Sequence, residues 1–384
     1  LKVLYLVPNL ADSAVARRID MLRLGGAQIA VAGFRRAGTA VPSLDVTSYV
    51  ELDQTHDARF AQRLWATARA MTSIRGWAGT LQRPDVIIAR NLEMLALASR
   101  LRGFWRTPPV LVYECLDIHR LVLREDAIGR AMRGAEQHWS RQASLLLTSS
   151  PAFLRNYFDI HGGPPAEIVE NKVLWGGGAR GHNPALTGPA SGPVRIGWYG
   201  ALRCKRSLQA LGGLAEAMDG GVEVVLRGRP ALTEFDDFHA SVAGQPHLQF
   251  KGPYNNPNDL AKIYSEVHLA WAIDFFEAGK NSQWLLPNRI YEGCLHGAIP
   301  VALAGTETAA FIERHGIGIV VPDVEPQTLR VMLDGLTPDR LTALAAAVAA
   351  RSVGHFAVSA DDCRALVDRL AGLTQTAPEL TEAA

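Results

Sequence analysis

The sequence predicts an α/β protein built from two doubly wound parallel-sheet domains. Three observations lead to this prediction. Short apolar runs alternate with longer amphipathic stretches, a Gly- and Pro-rich segment interrupts the alternation near the middle of the chain, and the alternation then restarts. Short apolar runs suit strands that are covered on both faces, and alternating strands and helices are typical of parallel sheets. At 384 residues the chain is long enough for two domains.

The first half contains six predicted strands, at 2–7, 27–33, 86–89, 110–113, 145–148 and 167–169. The stretches between them carry apolar residues at helical spacing and are predicted helices, at 14–24, 59–78, 92–101 and 128–143.

Residues 176–193 have the composition of a linker between domains. Six more strands are predicted after it, at 194–199, 222–226, 248–250, 268–273, 299–303 and 318–321, followed by Ala-rich helices at 341–350 and 360–370. We therefore predict an N-terminal domain over 1–185 and a second domain over 186–350. The last segment, 351–384, is predicted to pack back toward the N-terminal domain as a helix with a frayed tail.

The charge is distributed unevenly between the two halves. Residues 1–190 carry 23 Lys and Arg against 16 Asp and Glu, a net charge of +7, whereas residues 191–384 carry 16 against 22, a net charge of −6. This asymmetry predicts an anionic partner for the first half, either a membrane surface or a phosphate-bearing acceptor, and scattered solvated arginines are the alternative. Nucleic acid is not among the predicted partners.

Several classes of protein are excluded or disfavoured by the sequence. No apolar run is long enough for a transmembrane helix, and no signal peptide is predicted. The four cysteines are far apart and favour free thiols in the cytoplasm over a zinc site or disulfides. The chain has no P-loop, no GxGxxG after a strand, no HExxH and no GxSxG motif.

The segment 286–301, LPNRIYEGCLHGAIPV, carries the strongest functional signal. The pattern predicts a loop, then a helix with an acidic residue in its second turn, a glycine that ends the helix, and a buried strand. Helix N-terminal amides bind phosphate, and a carboxylate accepts hydrogen bonds from ribose hydroxyls. The segment therefore predicts a nucleotide site containing Asn288, Arg289 and Glu292, and an ordinary helix–strand connection is the alternative.

A second signal is the segment 196–207, IGWYGALRCKRS, in which a strand and a small-residue turn precede three basic side chains. Turn amides and basic groups at the end of a strand suit a diphosphate. Gly200, Arg203, Lys205 and Arg206 are the candidate ligands, and a solvated basic loop is the alternative.

Both segments resemble the donor-site signature of GT-B glycosyltransferases, especially family 4 and related exopolysaccharide enzymes. Segment 286–301 is similar to the pattern P-[NS]-[KR]-[LI]-[FY]-E followed by a Gly-x-Pro-Val turn, and segment 196–207 is similar to G-x-[LI]-x-x-x-K-[GR]. The resemblance implies two Rossmann-like domains that face each other across a cleft, with the donor nucleotide on the second and the acceptor on the first.

The resemblance also implies the reaction. A sugar is transferred from a nucleoside diphosphate sugar, with UDP favoured, to a hydroxyl of a glycan or lipid-linked acceptor during exopolysaccharide or lipopolysaccharide assembly. No metal and no further cofactor are expected, because Arg203 would neutralise the leaving diphosphate together with Lys205 or Arg206. The expected location is the cytoplasm, including the inner face of its membrane.

Further site residues follow from the resemblance. Gly228 and Arg229 match a turn that usually skirts the nucleotide base, and Asn281 and Ser282 are candidates for hydrogen bonds to the sugar or phosphate. In family 4 a Glu usually stands eight residues before Glu292, and the corresponding residue here is Trp284. This departure leaves the sugar and the choice between retention and inversion open.

In the first domain, segment 113–120, YECLDIHR, follows a predicted strand and is rich in ionisable groups. It resembles the family's Y-[ED]-x-H-E segment, so His119 is the favoured catalytic residue, and Asp117 and Glu114 are candidate bases. Asp12 and Arg17 lie in the loop and helix that would meet the acceptor, and Asp12 is equally suited to capping that helix.

Two other functions share the predicted fold. A nucleotide-sugar 2-epimerase would need acid and base residues around the sugar and would work without an acceptor. A non-catalytic scaffold subunit is the second alternative, and Trp284 in place of the usual Glu is the residue that keeps it open.

Overall fold

The computed structural model describes residues 1–39, 43–55, 60–177 and 192–376. The chain forms two compact units, one made of 1–170 together with 358–384 and the other of 171–357. The sequence placed these boundaries at 185 and 350, and the first of those positions lies outside the described residues, as does most of the predicted linker.

Fifteen strands are described, and most are short and apolar. They are β1 (Lys2–Val7), β2 (Gln28–Arg36), β3 (Ser48–Thr55), β4 (Val86–Arg90), β5 (Val110–Cys115), β6 (Leu145–Thr148), β7 (Ala166–Ile168), β8 (Val173–Leu174), β9 (Val194–Leu202), β10 (Val222–Pro230), β11 (Leu248–Phe250), β12 (Leu269–Trp271), β13 (Ile299–Leu303), β14 (Ile319–Val321) and β15 (Ala357–Val358).

The helices alternate with the strands in both units. They are α1 (Ser13–Leu24), α2 (Phe60–Thr72), α3 (Ile74–Ala78), α4 (Asn91–Arg102), α5 (Ala127–Ser140), α6 (Pro151–Phe153), α7 (Asp159–His161), α8 (Lys205–Ala217), α9 (Phe238–Ala243), α10 (Leu260–Tyr264), α11 (Asn281–Trp284), α12 (Asn288–Leu295), α13 (Glu307–His315), α14 (Pro326–Asp334), α15 (Pro338–Ala349) and α16 (Ala360–Thr376). A π-helical turn, Leu154–Phe158, joins α6 to α7, and short 3₁₀ turns cover Leu232–Glu234 and Val353–His355.

The first unit is built on a seven-stranded parallel sheet in the order β3-β2-β1-β4-β5-β6-β7. The residues of β4, β5 and β6 are buried throughout, as expected for central strands covered on both faces. The chain moves outward from β1 to β3 and returns to β4, so the strand order reverses between β1 and β4.

The second unit repeats this arrangement with six parallel strands in the order β11-β10-β9-β12-β13-β14. Its main core contains the large buried side chains Trp198 and Trp271. The strand order reverses between β9 and β12. The two parallel sheets confirm the predicted fold class, and every predicted strand overlaps a described one.

Strand β3, at the edge of the first sheet, was not predicted from the sequence. Its sequence, SYVELDQT, has no apolar run, and only Thr55 among its residues is buried. An edge strand gains its stability from backbone pairing with one neighbour, here β2. The apolar signal that identifies central strands is therefore absent.

The C-terminal helix α16 is part of the first unit and packs on α1. The approach is close at Gly25, immediately after α1. A Cβ atom at this position would lie 2.3 Å from the carbonyl oxygen of Cys363 in α16. Only a residue without a side chain fits between these two helices.

Strands β9 and β10 approach each other closely where both end. Gly200 and Gly228 are register partners and have positive φ angles of 107° and 132°. A Cβ atom at Gly228 would lie 1.9 Å from the carbonyl oxygen of Gly200. The paired glycines keep backbone, rather than side chains, at this edge of the sheet.

No helix among the described ranges is long and apolar enough to cross a membrane.

We expect Gly228→Ala to lower the free energy of unfolding by about 2 to 3 kcal/mol more than Gly305→Ala, because the first change adds a backbone clash to conformational strain. Gly305 is the matched control, since it lies in the same unit at a φ of 76° and an added Cβ would meet nothing within 4 Å. Thermal unfolding followed by circular dichroism measures the difference. Equal losses in the two variants would show that the close approach does not limit this position.

Candidate functional site

The reversal of strand order in the second unit places a crevice at the carboxyl ends of β9 and β12. Open α/β sheets bind ligands at such a crevice, because the loops after the two strands diverge there. The basic segment found in the sequence lies at this point. Gly200 is within β9, Arg203 follows it, and Lys205 and Arg206 begin α8.

Arg203 bridges the two loops that diverge at the crevice. Its Nη2 atom is 3.7 Å from Asp274 Oδ2 in the loop after β12, and its guanidinium carbon lies 4.5 Å from the centre of the Phe276 ring. The Arg203 side chain is 40% exposed and that of Asp274 only 7%. The arginine is therefore anchored on one side and accessible to solvent on the other.

Arg206 and Lys205 have different environments. The guanidinium carbon of Arg206 lies 4.2 Å from the centre of the Phe275 ring. Lys205 Nζ is 2.5 Å from Asp236 Oδ2, but the Asp236 side chain is 90% exposed. Exposed ion pairs contribute little to stability, so Lys205 can exchange this partner for another anion at low cost.

The loop after β12 is closed by its own side chains. Asn281 Nδ2 donates a hydrogen bond to Glu277 Oε2 at 2.5 Å, and Ser282 Oγ accepts one from the backbone N–H of Glu277 at 2.8 Å. Both Asn281 and Ser282 are buried. Asn281 and Ser282, which were predicted to bind the sugar or phosphate, thus lie in α11 and stabilise the loop. Trp284 is the last residue of the same helix and is half-buried.

Helix α12 begins after Pro287, as the sequence predicted, with Asn288 as its first residue. Arg289 Nη1 lies 3.4 Å from the carbonyl oxygen of Trp271 at the end of β12. This contact ties the start of α12 to the strand beside the crevice. Arg229 is exposed at the end of β10.

Glu292 is a buried carboxylate, 3% exposed, one turn into α12. Its Oε1 accepts a hydrogen bond from Asn256 Nδ2 at 2.7 Å, and its Oε2 lies 3.4 Å from the hydroxyl of Tyr264. Burial and the nearby charge of Glu292 raise the pKa of Tyr264, which therefore remains a neutral hydrogen-bond donor. Asn256 and Tyr264 are neutral, so these two contacts orient the carboxylate without cancelling its charge.

Glu114 in the first unit is held by three side chains. Tyr5 Oη and Arg90 Nε donate hydrogen bonds to Oε2, and Arg18 Nε donates one to Oε1. Burial alone would raise the pKa of Glu114, but the charges of Arg90 and Arg18 outweigh it and lower the pKa to about 2. Glu114 is fully buried, so the predicted role as a base is not supported, and the geometry indicates a structural role.

Asp12 caps α1 by accepting a hydrogen bond from the backbone N–H of Ala14 at 2.9 Å. Its Oδ2 is also 3.6 Å from Arg90 Nη1. Arg17 is half-buried on α1. The cap gives Asp12 a structural function, and contact of Asp12 and Arg17 with an acceptor stays a prediction.

Asp117 and His119 lie in the loop that follows β5, at the same edge of the first sheet as Glu114. Asp117 is exposed and His119 half-buried. His119 Nδ1 accepts a hydrogen bond from the backbone N–H of Leu121 at 3.3 Å, which places the proton of the neutral imidazole on Nε2. Their catalytic roles stay predictions.

The partners of the site residues were not predicted from the sequence. Phe275 and Phe276 contact the two arginines, Asn256 contacts Glu292, and Arg18 contacts Glu114 across 96 positions of the chain. Among these partners, only Phe275 and Phe276 stood out in the sequence, as adjacent aromatic residues in an otherwise polar loop.

We expect Glu114→Gln to lower the free energy of unfolding at pH 7 by about 3 to 5 kcal/mol, because two buried arginines lose their carboxylate. The folded-state pKa is lowered from an ordinary value of 4.5 to about 2. The charge therefore stabilises the fold above pH 4.5, and this contribution is lost as the pH falls toward 2.

Denaturant titrations at pH 7 and pH 3 measure this effect, with the exposed Glu125→Gln as the matched control. The difference between wild type and Glu114→Gln is expected to shrink at pH 3. A difference that stays constant with pH would contradict the assignment of the charge.

No protein-family model matches the chain. The chain is 49% identical over 384 residues to the succinoglycan biosynthesis protein ExoL of Rhizobium meliloti (strain 1021), covering 99% of this chain and 95% of ExoL.

Two solved structures show the fold. Sucrose-phosphate synthase from Thermosynechococcus elongatus matches with a TM-score of 0.72 at 12% identity, over 98% of this chain and all of that one. Anabaena HepE in complex with UDP matches with a TM-score of 0.65 at 16% identity, over 98% of this chain and all of that one. HepE is also known in complex with UDP-glucose.

These likenesses agree with the two parallel α/β sheets and confirm the predicted GT-B fold. At 49% identity along nearly its whole length, the chain belongs to the family of the succinoglycan biosynthesis protein ExoL.

Proposed function

We propose that the chain is a glycosyltransferase that moves a sugar from a nucleoside diphosphate sugar, with UDP as the favoured nucleotide, to a hydroxyl of a glycan or lipid-linked acceptor in exopolysaccharide assembly. The observation that carries the proposal is the pair Arg203 and Arg206 at the crevice of the second sheet, beside the half-buried backbone at Gly200. Guanidinium groups and turn amides at this point match the charge and shape of a diphosphate.

The relatives support both the pathway and the donor. ExoL is by name a protein of succinoglycan biosynthesis, which is the assembly of a polysaccharide. HepE binds UDP and UDP-glucose. A donor of the same class for this chain would place its ribose at Glu292 and its diphosphate at Arg203, Lys205 and Arg206.

The catalytic contribution that we assign to the second unit is electrostatic. As the sugar departs, negative charge develops on the diphosphate, and fixed cations stabilise that charge more than they stabilise the intact donor. Arg203 is the strongest candidate, because Asp274 and Phe276 fix its position while 40% of its side chain stays exposed. The proposed reaction includes no metal cofactor.

The acceptor is assigned to the first unit, where the loops after β1 and β5 carry polar groups. His119 is the candidate catalytic residue with Asp117 beside it, and Asp12 and Arg17 are candidate acceptor contacts. Glu114 acts through Arg90, which it binds at 2.7 Å and which in turn lies 3.6 Å from Asp12.

The proposed cellular setting is the inner face of the cytoplasmic membrane. The first unit exposes aromatic and basic side chains on α2 and just after α4. Trp65 is 62% exposed beneath the guanidinium of Arg69, and Phe104 is 37% exposed. Arg100 joins the two helices by donating a hydrogen bond to the carbonyl of Met71 at 3.2 Å. Aromatic and cationic groups together favour an anionic lipid surface.

We expect UDP to stabilise the wild type more than GDP or dTDP, because HepE, which has the same fold, binds UDP. At a hundredfold excess over Kd, binding to the folded state adds about 2.7 kcal/mol to the free energy of unfolding. Glu292→Gln should weaken UDP binding at least about tenfold, because it removes the charged acceptor assigned to the ribose. A thermal-shift titration of each nucleotide measures both effects.

Glu307→Gln is the matched control, because Glu307 is also a buried carboxylate of the second unit and begins another helix, α13. It should change the Tm but keep the shift that UDP produces. If no nucleotide shifts the wild type, the donor site is withdrawn and a scaffold function gains support. If Glu292→Gln binds UDP as tightly as the wild type, the ribose assignment is wrong.

We expect the protein to bind vesicles that contain phosphatidylglycerol and to bind pure phosphatidylcholine vesicles weakly. The double change Trp65→Ala and Phe104→Ala should reduce the binding, because both side chains would lose their burial in the lipid interface. Co-sedimentation measures the bound fraction, and Ile160→Ala, which removes a 66% exposed apolar side chain elsewhere on the same unit, is the control. Equal binding by all three proteins would contradict the proposed surface.

A further inference from the structure

Two aromatic side chains after β12 contact the two arginines after β9. The guanidinium carbon of Arg203 is 4.5 Å from the ring centre of Phe276, and that of Arg206 is 4.2 Å from the ring centre of Phe275. Both distances are within the range of a cation–π interaction. Adjacent residues of the loop after β12 thus contact Arg203, which follows β9, and Arg206, which lies in the first turn of α8.

Burial does not explain the position of Phe276. Its side chain is 38% exposed, whereas Phe275 packs against the core of the second unit. Exposing a phenylalanine in a polar loop sacrifices hydrophobic stabilisation. The contact with Arg203 is the observation that accounts for an aromatic residue at this position.

An aromatic ring differs from a carboxylate as a partner for arginine. The ring attracts the cation through its quadrupole and accepts none of the strong N–H hydrogen bonds, so the donors remain available for a phosphate. A carboxylate occupies those donors and neutralises the charge. Arg203 has one partner of each kind. The ring of Phe276 and the carboxylate of Asp274, which is 3.7 Å away, both belong to the loop after β12.

A cavity lies beside Arg206. Arg206, Phe275 and Asp274 line a cavity of about 230 Å³, together with Ser282 and Asp323. Arg206 therefore faces open space, and Arg203, which does not line this cavity, is accessible through the exposed 40% of its side chain.

We propose that Phe276 and Phe275 are positioning residues that hold Arg203 and Arg206 ready for the donor diphosphate, an inference that rests on the proposed function. A flexible arginine loses rotamer freedom when it binds an anion, and a side chain already fixed by an aromatic ring loses less. Phe276 therefore contributes to diphosphate affinity through Arg203 without touching the nucleotide.

The test compares the dissociation constants of UDP and uridine for wild type, Phe276→Leu, Phe276→Tyr, Arg203→Ala and the double variant Arg203→Ala with Phe276→Leu, by isothermal titration calorimetry. We expect Phe276→Leu to weaken UDP binding by about two- to fivefold, the range of an exposed cation–π contact. Uridine affinity should be unchanged, because uridine has no phosphate, and Phe276→Tyr should bind UDP like the wild type, because it keeps the aromatic face.

The double variant distinguishes positioning from direct contact. If Phe276 acts through Arg203, adding Phe276→Leu to Arg203→Ala changes UDP affinity no further. An additional loss in the double variant, an equal loss for uridine, or an unchanged UDP affinity in Phe276→Leu would each overturn the inference and leave the proposed function standing. Failure of the wild type to bind UDP, GDP or dTDP would instead overturn the proposed function, and this inference with it.

Discussion

The burial of both faces of each parallel sheet is the constraint on which the rest of the structure depends. Central strands such as β4, β5 and β6 have no exposed residue, and an unpaired charge within them would be costly to desolvate. The charged residues of β4 and β5, Arg90 and Glu114, therefore stand at the carboxyl ends of these strands. Because all strands of a parallel sheet point the same way, these groups collect at one edge, which is where both candidate sites lie.

The two units use this edge differently. In the first, Glu114 is enclosed with Arg18 and Arg90, and Asp12 lies 3.6 Å from Arg90, so both buried arginines are paired with carboxylates. In the second, Arg203 keeps an exposed side and its carboxylate partner is more distant. The first arrangement fixes the positions of loops, whereas the second leaves cationic charge available to a ligand. A shared fold thus supports a structural cluster in one unit and a binding cluster in the other.

The sequence predicted what depends on local pattern and missed what depends on contacts across the chain. Apolar runs located the central strands, while β3 has no such run and was missed. The helix that starts after Pro287 and carries Glu292 was predicted from its local motif. Glu114 was recognised as an ionisable group at a strand end, but its role depends on Arg18, which lies 96 positions away. The phenylalanines beside Arg203 and Arg206 were missed for the same reason.

The packing of α16 on α1 gives the chain an order of assembly during synthesis. The first unit needs residues from both sides of the second unit, and the gap at Gly25 is filled by the backbone of Cys363. A ribosome synthesises the whole of 171–357 before it makes α16. The surface of α1 and Gly25 on which α16 packs therefore stays uncovered until the end of the chain is made. In the cell this nascent surface is where chaperones would engage and where aggregation would begin.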